Sequence, residues 1–424
     1  MIYLDHNATT PLLPEAMEAM RPLMTEAFGN PSSSHAAGRR ARQSLEDARE
    51  TVANCLGALP EEVIFTSGAT EANNLAIFGL CGELPGSQTA ATTPFVAGLC
   101  EAGALPGSQT PATRPGATTP FVAGLCEAGA LPGSQTPATR PGALYSTVME
   151  HLCVVEPLKQ LANKGYSVTW LPVNARGIVA AFPVPRTARL VCLQLANHET
   201  GAIQPVAAFV NCGVPVHCDA AQAVGKIPVS FRAIGVTAMS LSAHKFRGPK
   251  GIGALLVKKG TKLQPRAFGG HQQRGHRPGT EPVPLAVGMA VALQHAVRTM
   301  TDTALALAQL RLRFLAKLKD AAVPFVVNGP LPGDADSLPT TLNVSFPGCR
   351  ADILLMALDL VGVACSTGSA CSSGSLLPSP VLTAMGVPDD VLQSAMRFSF
   401  GETTTTADVD AATERIAKCV SFRH

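Results

Sequence analysis

The sequence predicts an α/β protein in which a large domain with a mainly parallel β-sheet is joined to a smaller α+β domain. Three observations support this fold class. Short runs of β-branched and aliphatic residues alternate with amphipathic helical patterns, the 424 residues suffice for two or three domains, and the alternation ends near residue 300. We therefore expect the large domain to span residues 14–299 and the small domain to combine residues 1–13 with residues 300–424.

Each predicted strand of the large domain is a run of four to six mostly apolar residues, and each predicted helix repeats its apolar residues every three or four positions. The predicted strands are residues 62–66, 143–147, 166–171, 190–195, 214–217, 238–241 and 253–257. The predicted helices are residues 14–27, 38–56, 71–80, 154–164 and 284–298. Beyond residue 301 the pattern predicts a helix over 305–319, strands near 340–346 and 395–399, and a closing helix over 407–421.

An internal repeat interrupts the large domain. Residues 91–116 recur identically as residues 117–142, and the segment 82–142 contains 10 Gly and 9 Pro in 61 residues. Proline at this density supports neither a helix nor a β-ladder, and a composition so rich in Gly and Pro is typical of disorder. We expect a poorly ordered insertion in a loop; the alternative is a repeat that docks a partner.

Composition narrows the classes of function. A net charge of +3 is too small for a protein whose main task is to bind nucleic acid. No apolar run reaches the ~18 residues that a membrane span needs. The N-terminal residues do not resemble a secretory signal, so a cytoplasmic location is expected. The 12 cysteines form no pattern typical of structural zinc or of a disulfide framework, and no metal site is predicted.

A candidate phosphate site lies in the segment EVIFTSGATEANNLAIFGL, which places Ser67, Gly68, Ala69 and Thr70 between a strand and a helix. The free N–H groups and the dipole at a helix N-terminus bind phosphate, and the Thr70 hydroxyl adds a donor. The alternative is that Ser67 or Thr70 only caps the helix.

Two further side chains follow strands, at the edge where ligands bind in open α/β sheets. Asp219 ends the strand in VPVHCDAAQAVGK, and Lys245 follows Ser242 and His244 directly after the next strand. An enzyme that uses pyridoxal 5′-phosphate (PLP) requires a lysine for a Schiff base, a carboxylate for the pyridine nitrogen and an anchor for the phosphate. The sequence thus predicts a PLP enzyme.

Nine motifs, found in this order outside the insertion, are YLDHNATTP, FGNPSSSHAAGR, FTSGATEANNLAI, ANHETGAIQP, HCDAAQAVGK, SAHKFRGPKGIGAL, GGHQQRGHRPGTE, STGSACSSGS and MRFSFG. Together they resemble the group I cysteine desulfurases, the NifS and IscS type of class-V PLP enzymes, to which selenocysteine lyases are related. The resemblance implies PLP fold-type I, which is aspartate aminotransferase-like, and a homodimer. It also implies conversion of L-cysteine to L-alanine, with the sulfur passing through an enzyme persulfide to an acceptor protein for iron–sulfur cluster or thiolation pathways.

The resemblance also implies a role for each matching residue. Lys245 is implied to bind PLP covalently, Asp219 to pair with the pyridine nitrogen, and His151 to stack on the ring. The other implied cofactor-binding residues are Ala69, Thr70, His198, Gln222, Ser242, His244 and, from the other subunit, Thr280. The substrate carboxylate is implied to bind Arg397, with Asn30 as a further substrate-site residue.

Cys371 is the implied sulfur acceptor. It lies in GSACSSG, where glycine and serine on both sides favour a mobile loop. A thiol with the usual pKa of about 8.5 needs local stabilisation to act as a thiolate. Cys365, six residues earlier, is either a resolving thiol or, as we favour, a buried one.

One position departs from the family's motif. Asn197 is followed by His198, where relatives have a second asparagine that donates to the PLP phenolic oxygen. An imidazole can also donate, and with an unperturbed pKa of about 6.5 it would gain a proton in mildly acidic solution.

Two alternative functions remain. One is a selenocysteine lyase, because C–Se cleavage uses the same electron sink, and the other is a catalytically silent PLP-fold subunit that only binds a partner.

Overall fold

The computed structural model describes residues 1–82, 142–368 and 378–421, and within these ranges strands alternate with helices through most of the largest sheet. The helices are α1 (Pro14–Thr25), α2 (Ala36–Leu56), α3 (Ala69–Cys81), α4 (Leu152–Asn163), α5 (Phe231–Ile234), α6 (Val283–Asp320), α7 (Ala351–Leu360), α8 (Pro380–Ala384), α9 (Asp389–Leu392) and α10 (Thr406–Ser421). The strands are β1 (Ile2–Tyr3), β2 (Val63–Thr66), β3 (Leu144–Ser146), β4 (Val168–Trp170), β5 (Leu190–Gln194), β6 (Val216–Asp219), β7 (Ala238–Ser242), β8 (Gly253–Val257), β9 (Val326–Asn328), β10 (Thr341–Ser345), β11 (Val363–Ala364) and β12 (Ala395–Ser399).

The larger sheet has seven strands within the described residues, in the order β2–β8–β7–β6–β5–β3–β4. The strands from β7 to β4 in this order are parallel, while β8 runs antiparallel to both β7 and β2. Residues of β5, β6, β7 and β8 are buried throughout, as expected for strands covered on both faces. Each of the seven strand regions predicted for the large domain overlaps one of these strands, although β6 and β7 extend beyond the predicted ends, and the mainly parallel sheet is confirmed.

The direction of the strands decides where side chains collect. Because β8 reverses direction between β2 and β7, the carboxyl ends of β2, β3, β5, β6 and β7 point to the same edge of the sheet. Ligands bind at this edge in open α/β folds. Residues from five distant parts of the sequence therefore meet there.

A smaller antiparallel sheet, in the order β12–β10–β9, packs with α6, α7 and α10 around a separate hydrophobic cluster. Its largest buried side chains include Phe314, Phe346, Phe398 and Phe400. The strand β1 joins this part of the fold because it pairs in parallel with β11. This is the smaller α+β part that the sequence predicts, although the domain boundaries themselves stay a prediction.

The helix α6 is a single helix of 38 residues, where the sequence predicts two helices, 284–298 and 305–319. The predicted break is wrong because the intervening TMTDTA contains neither glycine nor proline. Thr299 Oγ1 donates to His295 O at 3.1 Å, a contact that a helix interior accommodates. Long as α6 is, none of the helices in the described ranges has the length and apolar content to cross a membrane.

Residues 83–141 of the insertion lie outside the described ranges, so the expected disorder and the alternative of partner docking stay predictions. Arg189 bonds to the residues on both sides of the insertion. Its Nε and Nη2 donate to Cys81 O, at 3.0 and 2.7 Å. Its main-chain N–H donates to Ala143 O at 2.8 Å. The chain therefore leaves α3 and approaches β3 beside one residue, and a short connection can bridge the same gap.

Replacing residues 83–141 by a short Gly/Ser linker should preserve the fold. The free energy of unfolding should change by no more than about 2 kcal/mol, because loop-closure entropy changes by only about 0.6 kcal/mol per doubling of loop length and a short linker is about three halvings of this loop. Urea denaturation measures this. In the shortened chain, Arg189→Met should cost about 1–3 kcal/mol, since Cys81 O then lacks its charged donor. A shortened chain that does not fold would contradict the prediction.

Candidate active site

A cavity of about 540 Å³ opens at the carboxyl-terminal edge of the seven-stranded sheet. Its walls come from the segments that follow β2, β3, β5, β6 and β7 and from the N-terminal residues Ala8 and Thr9. The predicted site residues that line it are Ala69, Thr70, His151, His198, Asp219, Gln222, Ser242, His244 and Lys245. The fold thus brings together residues from five separate segments of the sequence.

The connection between β2 and α3 forms one wall of the cavity. Thr66 Oγ1 donates to Gly68 O at 3.0 Å, and α3 begins with the next residue. The N–H groups of a first helical turn have no partners within the helix. A Cβ on Gly253 of β8 would lie 2.7 Å from Gly68 Cα, so a side chain there would displace this connection. The wall suits an anion such as phosphate.

Ser242 and His244 extend this wall from the end of β7. Ser242 Oγ would lie 3.5 Å from a Cβ on Gly68, so its hydroxyl adjoins the β2–α3 connection. His244 Nδ1 lies 3.2 Å from Thr9 Oγ1. Burial lowers the pKa of His244 to about 4, so its imidazole is neutral at physiological pH.

Asp219 lines the cavity from the end of β6. Its Oδ1 accepts the Ala221 N–H at 2.9 Å, and its Oδ2 accepts from Asn73 Nδ2 at 2.8 Å. Asn73 Oδ1 in turn accepts from Ser240 Oγ at 2.6 Å and lies 2.7 Å from His217 Nε2. Burial lowers the pKa of His217, and the neutral ring donates to the amide. Sequence reasoning missed Asn73. An asparagine on the buried face of a helix is a pattern that could have indicated a residue bonded to the site.

Lys245 reaches the cavity from the short turn that follows β7. Its Nζ donates to the main-chain oxygens of Asn7 at 2.6 Å and Ala8 at 3.0 Å. Both acceptors belong to the N-terminal LDHNA segment, which sequence reasoning did not place at the site. These contacts hold the amino group at the cavity wall.

Gln222 is held by the same asparagine. Its Nε2 donates to Asn7 O at 3.0 Å, and its Oε1 accepts from Lys226 Nζ at 2.6 Å. Lys226 Nζ also donates to Asn7 Oδ1 at 3.2 Å. Burial, followed by the charges of Lys245 and Arg397, lowers the pKa of Lys226 well below its usual value. Sequence reasoning missed Lys226, whose bond to Oε1 fixes which way the Gln222 amide is turned.

His151 stands at the start of α4. Its Nδ1 accepts the Cys153 N–H at 3.2 Å and lies 2.9 Å from Cys153 Sγ. That sulfur also accepts from Asn73 Nδ2 at 3.0 Å, so the thiol links the imidazole to the amide that holds Asp219. Sequence reasoning missed Cys153, because a cysteine in an apolar helical pattern is typical of a structural residue.

His198 lies edge-on to His151, with ring centroids 5.4 Å apart. Its Nδ1 is buried and has no hydrogen-bond partner among the residues that the structure describes. Burial, and then the charges of His151, Arg397 and Lys245, lower the pKa of His198 well below 6.5. The expected protonation in mildly acidic solution is therefore wrong, and the ring is neutral there.

The side chain of Asn197 stabilises the turn that follows β5 and does not line the cavity. Its Oδ1 accepts the N–H groups of Glu199 and Thr200, both at 2.9 Å, and its Nδ2 donates to Met149 O at 3.1 Å. These bonds hold the neighbouring His198 at the cavity wall.

Arg397, on β12, is buried beside the cavity without lining it. Its Nη2 donates to Asp5 Oδ1 at 2.7 Å, and its Nη1 donates to His198 O at 3.1 Å. Its Nε is buried and has no hydrogen-bond partner within the described ranges. The N–H at Nε is therefore left for a further acceptor.

Two other predicted residues, Asn30 and Thr280, are not part of the cavity wall. Asn30 Oδ1 accepts the Ser32 N–H at 2.9 Å in an exposed turn, and Thr280 is exposed. Cys371 lies outside the described residues. Cys365 is half-buried rather than fully buried as expected, and burial raises the pKa of its thiol to about 12.

The chain matches the family model of aminotransferase class-V over residues 2–94 and 135–412, and the residues between these ranges lie inside the predicted insertion. It is 35% identical over 417 residues to a cysteine desulfurase IscS of Dictyoglomus turgidum, which covers 96% of the chain and 92% of that relative. It is 37% identical over 432 residues to an IscS-like cysteine desulfurase of Mycobacterium tuberculosis, which covers 99% of the chain and 96% of that relative. A solved structure described as a NifS-like protein has 32% identity and a TM-score of 0.80, with 99% of each chain covered.

Asn73→Leu should destabilise the protein, because it removes the amide that bonds to Asp219 and His217 with little change in volume. The free energy of unfolding should fall by at least about 2 kcal/mol, since each buried polar group left without a partner costs about 1–3 kcal/mol. The control is Asn74→Leu, because Asn74 bonds to Thr70 O within its own helix; its effect should be below about 0.5 kcal/mol. Equal losses in urea denaturation would contradict the role given to Asn73.

Proposed function

The chain belongs to the aminotransferase class-V family, among its cysteine desulfurases, and we propose from this that it converts L-cysteine to L-alanine and transfers the sulfur to the thiol of Cys371. The observation that carries the proposal is the placement of Lys245, Asp219 and the start of α3 around one cavity. L-cysteine and a thiol yield L-alanine and a persulfide, so atoms and electrons balance without an external oxidant or reductant.

The residues around the cavity fit PLP. The first turn of α3 would hold the phosphate, and Asp219 would pair with the protonated pyridine nitrogen. His198 Nδ1, buried and unpartnered among the described residues, supports a bound polar group, because such an atom otherwise costs about 1–3 kcal/mol. The residues proposed to complete the cofactor site are Ala69, Thr70, His151, Gln222, Ser242, His244 and Lys245.

Bound PLP supplies an electron sink for negative charge that develops at the substrate Cα. Lys245 would hold the cofactor covalently through Nζ and, once the substrate amine has taken its place, move the Cα proton through the same atom. The carbonyls of Asn7 and Ala8 orient that nitrogen at the cavity wall. Asp219 would keep the pyridine nitrogen protonated, with its carboxylate oriented by Ala221 N–H and by the Asn73 amide.

Arg397 is proposed to bind the substrate carboxylate. Its ion pair with Asp5 and its bond to His198 O fix the guanidinium beside the cavity. The N–H at Nε lacks a partner within the described part of the chain and supports this role. Asn30 remains a further proposed substrate-binding residue. It does not line the cavity described above, so it would have to reach the substrate from outside that wall.

The sulfur acceptor is proposed to be Cys371, whose thiolate would attack the substrate sulfur. Cys365 is a poor alternative, because burial raises the pKa of its thiol to about 12 and thereby suppresses the nucleophilic thiolate. From Cys371 the sulfur would pass to an acceptor protein, for which an iron–sulfur scaffold is our proposal.

We also propose a homodimer in the cytoplasm, in which Thr280 of a second copy reaches the phosphate site. Thr280 is exposed and does not line the cavity of its own chain. Two large apolar side chains are exposed: Phe28, two residues before Asn30, is 77% exposed, and Phe268 is 87% exposed. Burial of these side chains against a second copy would stabilise the dimer.

The division into a large domain of residues 14–299 and a small domain of residues 1–13 and 300–424 is also a proposal.

Borohydride reduction of the PLP-loaded protein, followed by peptide mapping, should label Lys245, and Lys245→Ala should carry no label. The matched control is Lys250→Ala, since Lys250 also lines the cavity but is not proposed to bind the cofactor covalently. Labelling of any lysine other than Lys245 in the unaltered protein would show that the site is wrongly assigned.

Cys371→Ser should retain the yellow cofactor but form no persulfide when L-cysteine is added, because a hydroxyl does not accept sulfur. Release of L-alanine should fall at least about a hundredfold, because serine does not replace the nucleophile. Cys365→Ser is the control and should behave like the unaltered protein. Full turnover by Cys371→Ser would assign the reaction to another thiol, and a higher kcat/KM with L-selenocysteine would favour a lyase.

A further inference from the structure

A carboxylate lies in the cavity wall that is proposed to hold the cofactor phosphate. Glu71 stands in the first turn of α3 and lines the cavity next to Thr70. Its Oε2 accepts the Ser67 N–H at 2.7 Å. Burial alone would raise the pKa of Glu71, but the bonds from Arg277 and Ser67 lower the pKa below its usual value. The wall proposed to bind an anion therefore carries a negative charge of its own.

This negative charge has a counterion. Arg277 Nε donates to Glu71 Oε1 at 3.0 Å. Both side chains are half-buried, so water and salt screen the pair less than they screen a pair on an open surface. Arg277 does not line the cavity, and its bond to the phosphate wall is made through this carboxylate.

The segment that carries Arg277 is anchored to β2, the strand that leads into the same wall. Gln273 is buried, and its Oε1 accepts the Phe65 N–H at 2.8 Å and Arg49 Nη1 at 3.1 Å. Because β2 is the outermost strand on its side of the larger sheet, the Gln273 amide takes the place of a neighbouring strand at Phe65. The segment and the phosphate wall therefore share one support.

The backbone of the same segment is held in an unfavourable conformation. Gln273 and Arg274 are not glycines, yet their φ angles of +46° and +57° lie in the left-handed region. Such conformations persist only where the surrounding contacts impose them. Arg274 Nη1 donates to Glu61 O at 2.9 Å, which is one of these contacts. The position of Arg277 beside the wall is thus closely defined.

Charge decides what this wall can hold. A phosphate monoester carries a charge of about −1.5 to −2 at pH 7. A second anion beside it weakens binding unless a cation offsets that anion. Glu71 gives the Ser67 N–H an acceptor, but without Arg277 its charge would oppose the phosphate at the start of α3.

We propose that Arg277 is a positioning residue for the cofactor phosphate: it neutralises and orients Glu71, so that the wall at the start of α3 accepts a doubly charged group. The inference rests on the proposed function, in which this wall holds the phosphate of PLP. Arg277 acts through Glu71 and not by touching the cofactor.

The test compares PLP with pyridoxal, which lacks the phosphate. Each is titrated into the full-length protein stripped of cofactor, and the absorbance of the bound form gives its Kd. Arg277→Met should raise the Kd of PLP about tenfold, because an unpaired carboxylate then opposes the phosphate. The Kd of pyridoxal should stay within about twofold of the unaltered protein. Arg277→Gln is neutral but can still donate to Glu71, and it should behave like Arg277→Met.

Variants of Glu71 should show the opposite sign. Glu71→Gln removes the charge and keeps an acceptor for the Ser67 N–H, so it should not raise the Kd of PLP. Combined with Arg277→Met, it should return the Kd of PLP to within about threefold of the unaltered protein. A pair that serves only folding would show no such recovery.

Arg313→Met is the matched control. Arg313 forms an exposed ion pair with Asp410 between α6 and α10, and neither residue lines the cavity. The Kd values of PLP and pyridoxal should both be unchanged in this variant.

An unchanged Kd of PLP in Arg277→Met, equal weakening of PLP and pyridoxal, or no recovery in the double variant would overturn the inference. Should Arg277→Met not fold, Arg277→Gln decides by the same criteria. Failure of the proposed function is a different result, because the unaltered protein would then bind no PLP or would form no persulfide from L-cysteine.

Discussion

The main-chain oxygen of Asn7 accepts hydrogen bonds from both Lys245 Nζ and Gln222 Nε2. The side-chain amide of the same residue bonds to Lys226 Nζ, His198 O and Thr341 Oγ1. Asn7 is buried, so water does not compete for these bonds. A short N-terminal segment therefore sets the positions of groups that come from β5, β6, β7 and β10, and the cavity has its shape only when that segment is in place.

Burial then decides the charges around the cavity. His198, His217 and His244 all have a lowered pKa, with burial as the largest cause, and are neutral donors or acceptors at physiological pH. Lys226 is buried against neutral oxygens, while Arg397 is ion-paired with Asp5. This arrangement suits the proposed binding of a phosphate and a carboxylate at the site.

The strand-end residues were predictable because their positions follow from local patterns. An apolar run that ends in Asp219, or in a turn to Lys245, places a polar side chain at the ligand-binding edge of the sheet whatever the rest of the chain does. Asn7 and Asn73 were not predictable in this way, since their partners are distant in sequence and only the packing brings them together. The continuous α6 and the low pKa of His198 were missed for a related reason: periodicity and unperturbed values describe a segment in isolation, whereas backbone hydrogen bonding and burial decide the outcome.

The pairing of β1 with β11 joins Ile2 to Val363 and Tyr3 to Ala364. During synthesis, β1 must therefore wait until β11 has emerged from the ribosome before it finds its partner strand, and contacts so distant in sequence form slowly. The insertion lengthens this interval: at about 5–20 residues per second, its 61 residues add roughly 3–12 s to synthesis. Because Asn7 lies in the same early segment, the cavity can be completed only late in synthesis, after the large sheet has had time to form.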